Sequence, residues 1–506
     1  MIYSFHHFYY WLRGGVESGM AYRAKIFRQL GLDARFVFAT TFPNGNIQRE
    51  TERLGFLDLE VLWLYGFFSD CRVSPVTYTL GQLEESFGEE PFINSQEGRA
   101  VKYQFPHTNS YCIAELADDT KECVWSVVWI SHGCLMRKDY YTYCRIYSEY
   151  FTPCQGQARL YLRRFFNENG TVAYEEVMGD ESVAEDVVLY KFPDGLVYSR
   201  EELVGAMMLR LQLTSEDVVL IDGEPGKIDR AAFIQNAYPA KVGFILHSNH
   251  FITYGEEHIR WYGIYEYALS HPEKIDFYIA STEAQSSLLR AQFLQYKGIA
   301  PRVETIPVAG LDMLRFPAKA RRKHSLLTAG RLAKDKRTDW IVRAVAEARK
   351  EVADISLDIY GEGSGEAQLK ELIEELGCSD YVHLCGFQKL DNLYQQYEAY
   401  VSASYGETFG VTLLEAIGSG LAVVGFDLPY GMQVFVEDGE NGYRIGHESV
   451  QELARGIVRL FTEADLDAFR QKSYTKAKYY LMEEVGKRWQ AVLSQEESSC
   501  CLSVIR

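Results

Sequence analysis

From residue 399 the chain reads AYVSAS, an apolar and β-prone run, then a Gly-containing loop, then VTLLEAI with apolar positions at helical spacing, then Gly-Ser-Gly. The pattern predicts a strand, a loop and a helix over 411–417. The same rhythm opens the chain. An apolar segment runs to Leu12, Arg13-Gly14-Gly15-Val16-Glu17-Ser18-Gly19 follows, then the helical MAYRAKIFRQL stopped by Gly31, then the strand RFVFAT at 35–40. That is a β–Gly loop–α–β unit. Between about 44 and 211 the character changes to short β-prone runs, RAVKYQF, YCIAEL, CVWSVVWI, ARLYLRRFF and VVLYK, separated by turn signals at Asp118-Asp119, Asn169-Gly170 and Pro193-Asp194-Gly195. Consecutive runs with short turns predict an antiparallel meander inserted between α/β units. From Glu216 the α/β rhythm returns, with DVVLID, KVGFILH and DFYIAST as strands and helical stretches over 259–269 and 284–295. After the basic linker PAKARRK come HSLLTAG, ISLDIYGEGSG and YVHLCGFQ, and a weakly periodic helix over 466–493 closes the pattern. The expected fold class is α/β with an inserted antiparallel β-sheet domain in the N-terminal half.

A length of 506 residues fits two or three domains, and an apolar fraction of 47% fits ordinary packed cores. The formal net charge of −18 works against duplex nucleic acid as the main partner, since such binders present a basic face. The 35 Tyr and 28 Phe match β-rich structure, with stacking on sugar or peptide as the functional reading. Ten cysteines are scattered without a C-x-x-C pair, and no signal peptide is expected ahead of the first strand. Free thiols in a reducing cytoplasm are therefore expected, with Cys500 and Cys501 in a polar tail open to acylation or simply ragged. No apolar run reaches membrane-spanning length.

The candidate chemistry gathers in loops after predicted strands. Glu407 falls in the loop after AYVSAS and Glu415 on the first turns of the following helix, both near the carboxyl end of a strand, where open α/β sheets bind ligands. Loop N–H groups and the helix start favour an anion there. Two carboxylates beside an anion site suit a ligand rich in both phosphate and hydroxyls, such as a nucleotide sugar. Helix-initial glutamate is also favoured by the dipole alone. Arg331 and Lys336 share one loop between HSLLTAG and a helix starting near Thr338, a place where the dipole disfavours cations; together they can clamp a diphosphate. His247 ends a predicted strand and His250 follows three residues on, a spacing that suits zinc but has no supporting Cys or His; a core or loop histidine is the plainer reading. Asp465-x-Asp467 stands at a helix start, where capping explains it.

The stretch SYGETFGVTLLEAIGSG resembles the E-x7-E signature of family 4 retaining glycosyltransferases, which adopt the GT-B fold of two Rossmann-like domains facing a cleft. Residues 325–446 are similar to that family throughout, and VETIPVAGLD resembles the crossover between its halves. GGVESGMAYRAKIFRQL, RKDYYTYCRIYSEYF, GRLAKDKRTDW and EAIGSGLAVVGFDLPYG together resemble the GtfA family, subunits of the accessory-Sec protein O-glycosyltransferases of Gram-positive bacteria. The resemblance implies transfer of N-acetylglucosamine from UDP-N-acetylglucosamine to Ser/Thr of serine-rich repeat adhesins, in the cytoplasm at the membrane periphery. It also implies a paralogous, non-catalytic GtfB-type partner subunit, with the β insert holding partner and acceptor polypeptide. It implies an N-terminal Rossmann-like domain over 1–43 and 212–316, the insert over 44–211, a nucleotide-sugar domain over 317–470, and a last helix and tail over 471–506.

By motif position, the resemblance implies that Gly15, Val16, Glu17 and Ser18 approach the UDP diphosphate and that Arg331 and Lys336 neutralise it. Phe387 and Gln388 would flank the uracil and Glu415 would bind the ribose hydroxyls. Glu407, Thr408, Phe409 and Gly410 would bracket the sugar, and His247 would touch it. No cofactor or metal is expected, since the cations replace one and the UDP-sugar is itself the donor substrate. The family commonly has a small residue at Arg13 or Gly14 and Gly at Thr408, so UDP-glucose stands beside UDP-N-acetylglucosamine as donor. A glycan-synthesising enzyme of the same fold and a non-catalytic substrate-presenting subunit are the rival classes. The presence of Arg331, Lys336, Glu407 and Glu415 argues against the second.

Overall fold

The computed structural model describes residues 1–6, 15–40, 46–88, 91–105, 108–117, 122–179, 188–223, 230–446 and 448–494. Arg13, Gly14, Asp118-Asp119 and the Cys500-Cys501 pair lie outside them. The chain divides into two compact units. One comprises Met1–Arg13, Leu32–Phe244 and Gly263–Asp276; the other comprises Gly14–Gly31, Ile245–Tyr262 and Phe277–Arg506.

In the first unit, Ile2–His6 pairs in parallel with Val218–Gly223 on one side and Ala34–Phe38 on the other, and Ala34–Phe38 pairs in parallel with Val61–Trp63. Val218–Gly223 is buried along its whole length, as befits a parallel strand covered on both faces. Val61–Trp63 lies inside the stretch expected to be insert, so the meander starts later. Its ten strands run from Phe92–Glu97 to Val197–Tyr198, each paired with its neighbour in sequence. Alternating burial in Ala100–Gln104 and Ser110–Leu116 marks one packed face and one open face. Two hairpins turn on His132-Gly133 and Gln155-Gly156, all four at positive φ, which fits the right-handed twist of the flanking strands.

The second unit holds a six-stranded parallel sheet. Its order is Val382–Leu384, Ser356–Tyr360, Ser325–Ala329, Ala399–Ser402, Ala422–Phe426, Gly442–Ile445. Taken by sequence this is 3-2-1-4-5-6, the doubly wound Rossmann order, and it reverses between Ser325–Ala329 and Ala399–Ser402. Successive residues feed opposite faces. Leu326, Val401 and Val424 pack with Ile341, Val345 and Ile457, whereas Leu327, Tyr400 and Val423 pack with Leu413, Ile417 and Phe435.

Three elements differ from expectation. Residues 259–269 are not one helix: Ile259–Trp261 pairs with Phe251–Tyr254, and only Glu266–Ser270 is α-helical. Trp261 is buried against Phe293, which favours an extended backbone there over a turn of helix. The closing helix is two, Leu466–Ala477 and Met482–Leu493, because Leu481 is extended and the backbone of Leu311 inserts beside it. Leu311 N–H donates to the Tyr480 carbonyl at 2.8 Å, and Met482 N–H donates to the Leu311 carbonyl at 2.9 Å. The first helix, Gly15–Gln29, starts five residues before the apolar periodicity does. It lies against the last helix through Phe27 and Trp489, whose rings are 5.1 Å apart and edge-on.

Candidate active site

The reversal point of the six-stranded sheet brings together two loops, 330–337 after Ser325–Ala329 and 403–410 after Ala399–Ser402. Three adjacent strand ends first set the floor. Gly330 N–H donates to the Tyr360 carbonyl at 3.0 Å, and Gly361 N–H donates to the Gly386 carbonyl at 2.9 Å. Gly361, at φ +137°, passes so close that a Cβ would stand 1.9 Å from the Gly330 carbonyl oxygen. Glycine is required for that contact.

Arg331 and Lys336 then rise from one loop, Lys336 closing the short 3-10 turn Lys334–Lys336 before the helix Thr338–Ala348. Lys336 Nζ lies 2.5 Å from Glu407 Oε1, and Arg331 lies 3.5 Å from Asp335. Thr328, Gly330, Arg331, Lys336, Ser404 and Glu407 line one hollow. Each cation is held by a carboxylate. A diphosphate would have to replace Asp335 and Glu407 as their partner, which charge-assisted hydrogen bonding allows.

Glu407 is fixed through its backbone: its carbonyl accepts from Tyr430 N–H at 3.0 Å and Gly431 N–H at 2.7 Å. Gly410, at φ +86°, turns the loop into the helix Val411–Gly418. The Tyr400 hydroxyl donates to the Ala329 carbonyl at 3.0 Å and sits 2.9 Å from Thr412 Oγ1, tying the first strand end to this helix start. Thr408 stays half-buried in the loop. Phe409 does not face a ligand: its side chain is buried against Phe435 and Tyr480, so only its backbone is available to a sugar.

Glu415 sits on the second turn of the helix. Burial pushes its carboxyl up to about 7, while the hydrogen bond donated by Tyr394 at 2.9 Å pulls the other way. Phe387 and Gln388 follow Val382–Leu384; Phe387 is 52% exposed, and Gln388 Nε2 donates to the Cys385 carbonyl at 3.1 Å. Gly15, Val16, Glu17 and Ser18 form the first turn of their helix, where backbone N–H groups have no intrahelical acceptor.

His247 follows the strand Lys241–Leu246 and is partly buried. Two residues on, Asn249 Oδ1 accepts from the Tyr430 hydroxyl at 3.3 Å, and Tyr430 is the residue whose backbone holds Glu407. His250 is a core residue: it is fully buried, 2.7 Å from Gln292 Oε1, and burial lowers its imidazole to about 4. Asp465 caps Leu466–Ala477 by accepting from the N–H groups of Asp467 and Ala468.

Arg331, Lys336 and Glu407 thus share a hollow. Glu415, Phe387, Gln388, His247 and residues 15–18 lie in the same unit but outside that lining. Sequence reasoning missed Tyr394, Tyr400 and Tyr430, whose hydroxyls or backbone position the others. A tyrosine's place in the sequence carries no sign of which residue its hydroxyl will reach.

The GtfA extended beta-sheet domain matches residues 93–194, and the glycosyl transferases group 1 family matches residues 314–478. A Streptococcus gordonii protein, the UDP-N-acetylglucosamine–peptide N-acetylglucosaminyltransferase GtfA subunit, is 38% identical over 501 residues, 97% of this chain and 98% of its own length. The solved structure of the pneumococcal O-GlcNAc transferase GtfA in complex with UDP and GlcNAc is similar with a TM-score of 0.90 at 36% identity, over 97% of this chain and 98% of that one. A solved GtfA/B complex is similar with a TM-score of 0.89 at 37% identity, over 98% and 99%.

Proposed function

The chain belongs to the GtfA family of UDP-N-acetylglucosamine–peptide N-acetylglucosaminyltransferase subunits, and from that premise we propose a mechanism for this site. The chain has the GT-B fold with an added antiparallel sheet. It transfers N-acetylglucosamine from UDP-N-acetylglucosamine to Ser/Thr hydroxyls of a polypeptide, as the first step of O-glycosylating serine-rich repeat adhesins. It works with a GtfB-type partner subunit. Among the described residues no helix is long and apolar enough to cross a membrane. We place the enzyme in the cytoplasm, peripheral to the membrane.

The observation that carries the mechanism is the hollow at the sheet's reversal point, with Lys336 2.5 Å from Glu407 and Arg331 on the same loop. Arg331 and Lys336 take the donor's diphosphate and stabilise the charge that grows on it as the glycosidic bond breaks. The first turn of the helix over residues 15–18 adds to that field. Released by the diphosphate, Glu407 turns to the sugar hydroxyls, with Thr408 and the backbone of Phe409 and Gly410 beside it. Glu415 accepts from the ribose hydroxyls, Phe387 and Gln388 flank the uracil, and His247 meets the sugar. The acceptor hydroxyl attacks on the face from which UDP leaves, giving retention. Fixed positive charge takes the place a metal ion would hold, so activity is expected to survive EDTA.

The test is transfer of radiolabelled sugar from UDP-N-acetylglucosamine and from UDP-glucose to a Ser/Thr-rich peptide, with and without the partner subunit. N-acetylglucosamine is expected to be transferred, and R331A/K336A is expected to abolish transfer. Undiminished transfer by the double variant would end the account of the diphosphate.

A further inference from the structure

Away from the nucleotide-fold sheet, Cys71 and Cys144 place their sulfurs 3.6 Å apart. Cys71 lies in the irregular stretch between Val61–Trp63 and the helix Leu80–Glu85. Cys144 lies in the turn that joins Cys134–Tyr141 to Arg145–Cys154. Both are partly exposed.

The two backbones are held side by side by bonds that do not involve the sulfurs. Thr77 N–H and Tyr78 N–H each donate to the Thr142 carbonyl at 2.9 Å. Arg72 N–H donates to the Tyr143 hydroxyl at 3.0 Å, and the Tyr143 hydroxyl donates to Glu168. Asp70 reaches the next turn of the sheet, accepting from Glu168 N–H at 2.7 Å. Cys71 Sγ also lies 3.3 Å from the Phe166 carbonyl. The pair is therefore a juxtaposition the fold imposes, and a side-chain rotation closing about 1.5 Å would bring the sulfurs to bonding distance.

We propose that Cys71 and Cys144 form a peroxide-reactive dithiol, a reversible modification site on the β-sheet domain. Cys144 is the attacking thiol and Cys71 the resolving one. The Cys144 thiolate attacks hydrogen peroxide, breaks its O–O bond and becomes a sulfenic acid, with hydroxide leaving. The Cys71 sulfur then displaces the sulfenic hydroxyl, which leaves as water with the Cys71 proton, and the disulfide forms. Two thiols lose two electrons and one peroxide gains them. The Cys71 thiol donates to the Phe166 carbonyl at 3.3 Å, which holds its proton in place and supports this order, and the contact with Cys71 holds the Cys144 thiol below its usual range against burial and the charges of Glu168 and Asp70. The same pairing, with burial, pushes Cys71 up. A thiol reductant reverses the bond. The bond would tie the connecting stretch to the sheet and restrict the unfolded chain, so oxidation raises thermal stability.

The experiment uses the reduced full chain treated with hydrogen peroxide. Remaining thiols are blocked with N-ethylmaleimide, and the chain is digested without reductant. Mass spectrometry is expected to find a Cys71–Cys144 cross-linked peptide pair that dithiothreitol removes, with a melting temperature several degrees higher before reduction. In Cys71→Ser, dimedone is expected to trap the sulfenic acid on Cys144, whereas in Cys144→Ser, Cys71 is expected to be recovered as its N-ethylmaleimide adduct. The proposal is overturned if wild-type Cys71 and Cys144 are both recovered as maleimide adducts at a peroxide dose that oxidises the exposed Cys154. The assigned roles are overturned if dimedone labels Cys71 in Cys144→Ser and leaves Cys144 unlabelled in Cys71→Ser. The wild-type readout stands whether or not the variants fold, and none of these readouts depends on glycosyl transfer.

Discussion

Lys336 and Glu407 each neutralise the other in the hollow, so removing one leaves the second without its partner. Lys336→Ala should lower kcat/KM for UDP-N-acetylglucosamine by about 100-fold, the usual effect of deleting one preorganised charge-stabilising donor. Steady-state kinetics with a fixed peptide checks it. Glu415 offers a pH-dependent companion. Its carboxyl titrates near 7 in the folded state against 4.5 for the free group. Between those values the folded chain keeps a proton that the unfolded chain has lost, so this group's contribution to stability falls as pH rises through the window. Glu415→Gln should therefore melt a few degrees higher than wild type at pH 8, with the gap closing toward pH 5. The same variant should lose about tenfold in kcat/KM at pH 8, since in the proposed role an amide replaces a charged acceptor of ribose hydroxyls. A Tm that tracks wild type at both pH values would show that the carboxylate carries no burial penalty. That Arg331, Lys336 and Glu407 share one hollow was legible because all three fall in loops just after predicted strands. The direction of Phe409 was not legible, since a loop phenylalanine reads alike whether it covers a sugar or plugs the core.

At the scale of elements, the strand-to-loop junctions depend on backbone approach more than on side chains. Gly361→Ala should be strongly destabilising because its Cβ would meet the Gly330 carbonyl oxygen at 1.9 Å and its φ is +137°. Gly98 is a matched control, also at positive φ, +57°, but with nothing within 4 Å of a Cβ. Gly98→Ala should cost about 1 kcal/mol and Gly361→Ala clearly more, read from urea denaturation midpoints. Gly361→Ala should also raise KM for the donor, because Gly330 immediately precedes Arg331. Equal midpoints for the two variants would remove the close contact as an explanation. The strands of the six-stranded sheet were readable as apolar runs ending in Gly loops. Several strands of the meander were not, because Cys134–Tyr141 and Arg145–Cys154 carry Arg, Lys, Asp and Glu along their length. Glu149, in the second of these, is buried and paired with Arg163 at 2.9 Å, an arrangement that hides its strand from a hydrophobicity pattern.

At the scale of the whole molecule, continuity in sequence was a poor guide to what packs with what. Residues 15–31 and 245–262 cluster with the C-terminal half, not with the strands that flank them. The cause is specific contact: a Cβ on Gly19 would stand 2.6 Å from Val308 Cγ2, and one on Gly310 would stand 1.9 Å from the Tyr22 hydroxyl. A small residue shows its reason only when its neighbour is known. One consequence is that every candidate donor-binding residue falls in the same unit, while the ten-stranded sheet falls in the other. Ligand binding stabilises what it touches, by about 2.7 kcal/mol at a hundred times Kd. Saturating UDP should therefore slow amide exchange in residues 15–31, 325–337 and 403–420, and leave strands 110–178 of the meander at their ligand-free rates. Hydrogen exchange with mass-spectrometric readout resolves these segments directly. Protection that appeared in the meander instead would place the nucleotide on the other unit, and Arg331, Lys336 and Glu407 would then have no part in holding it.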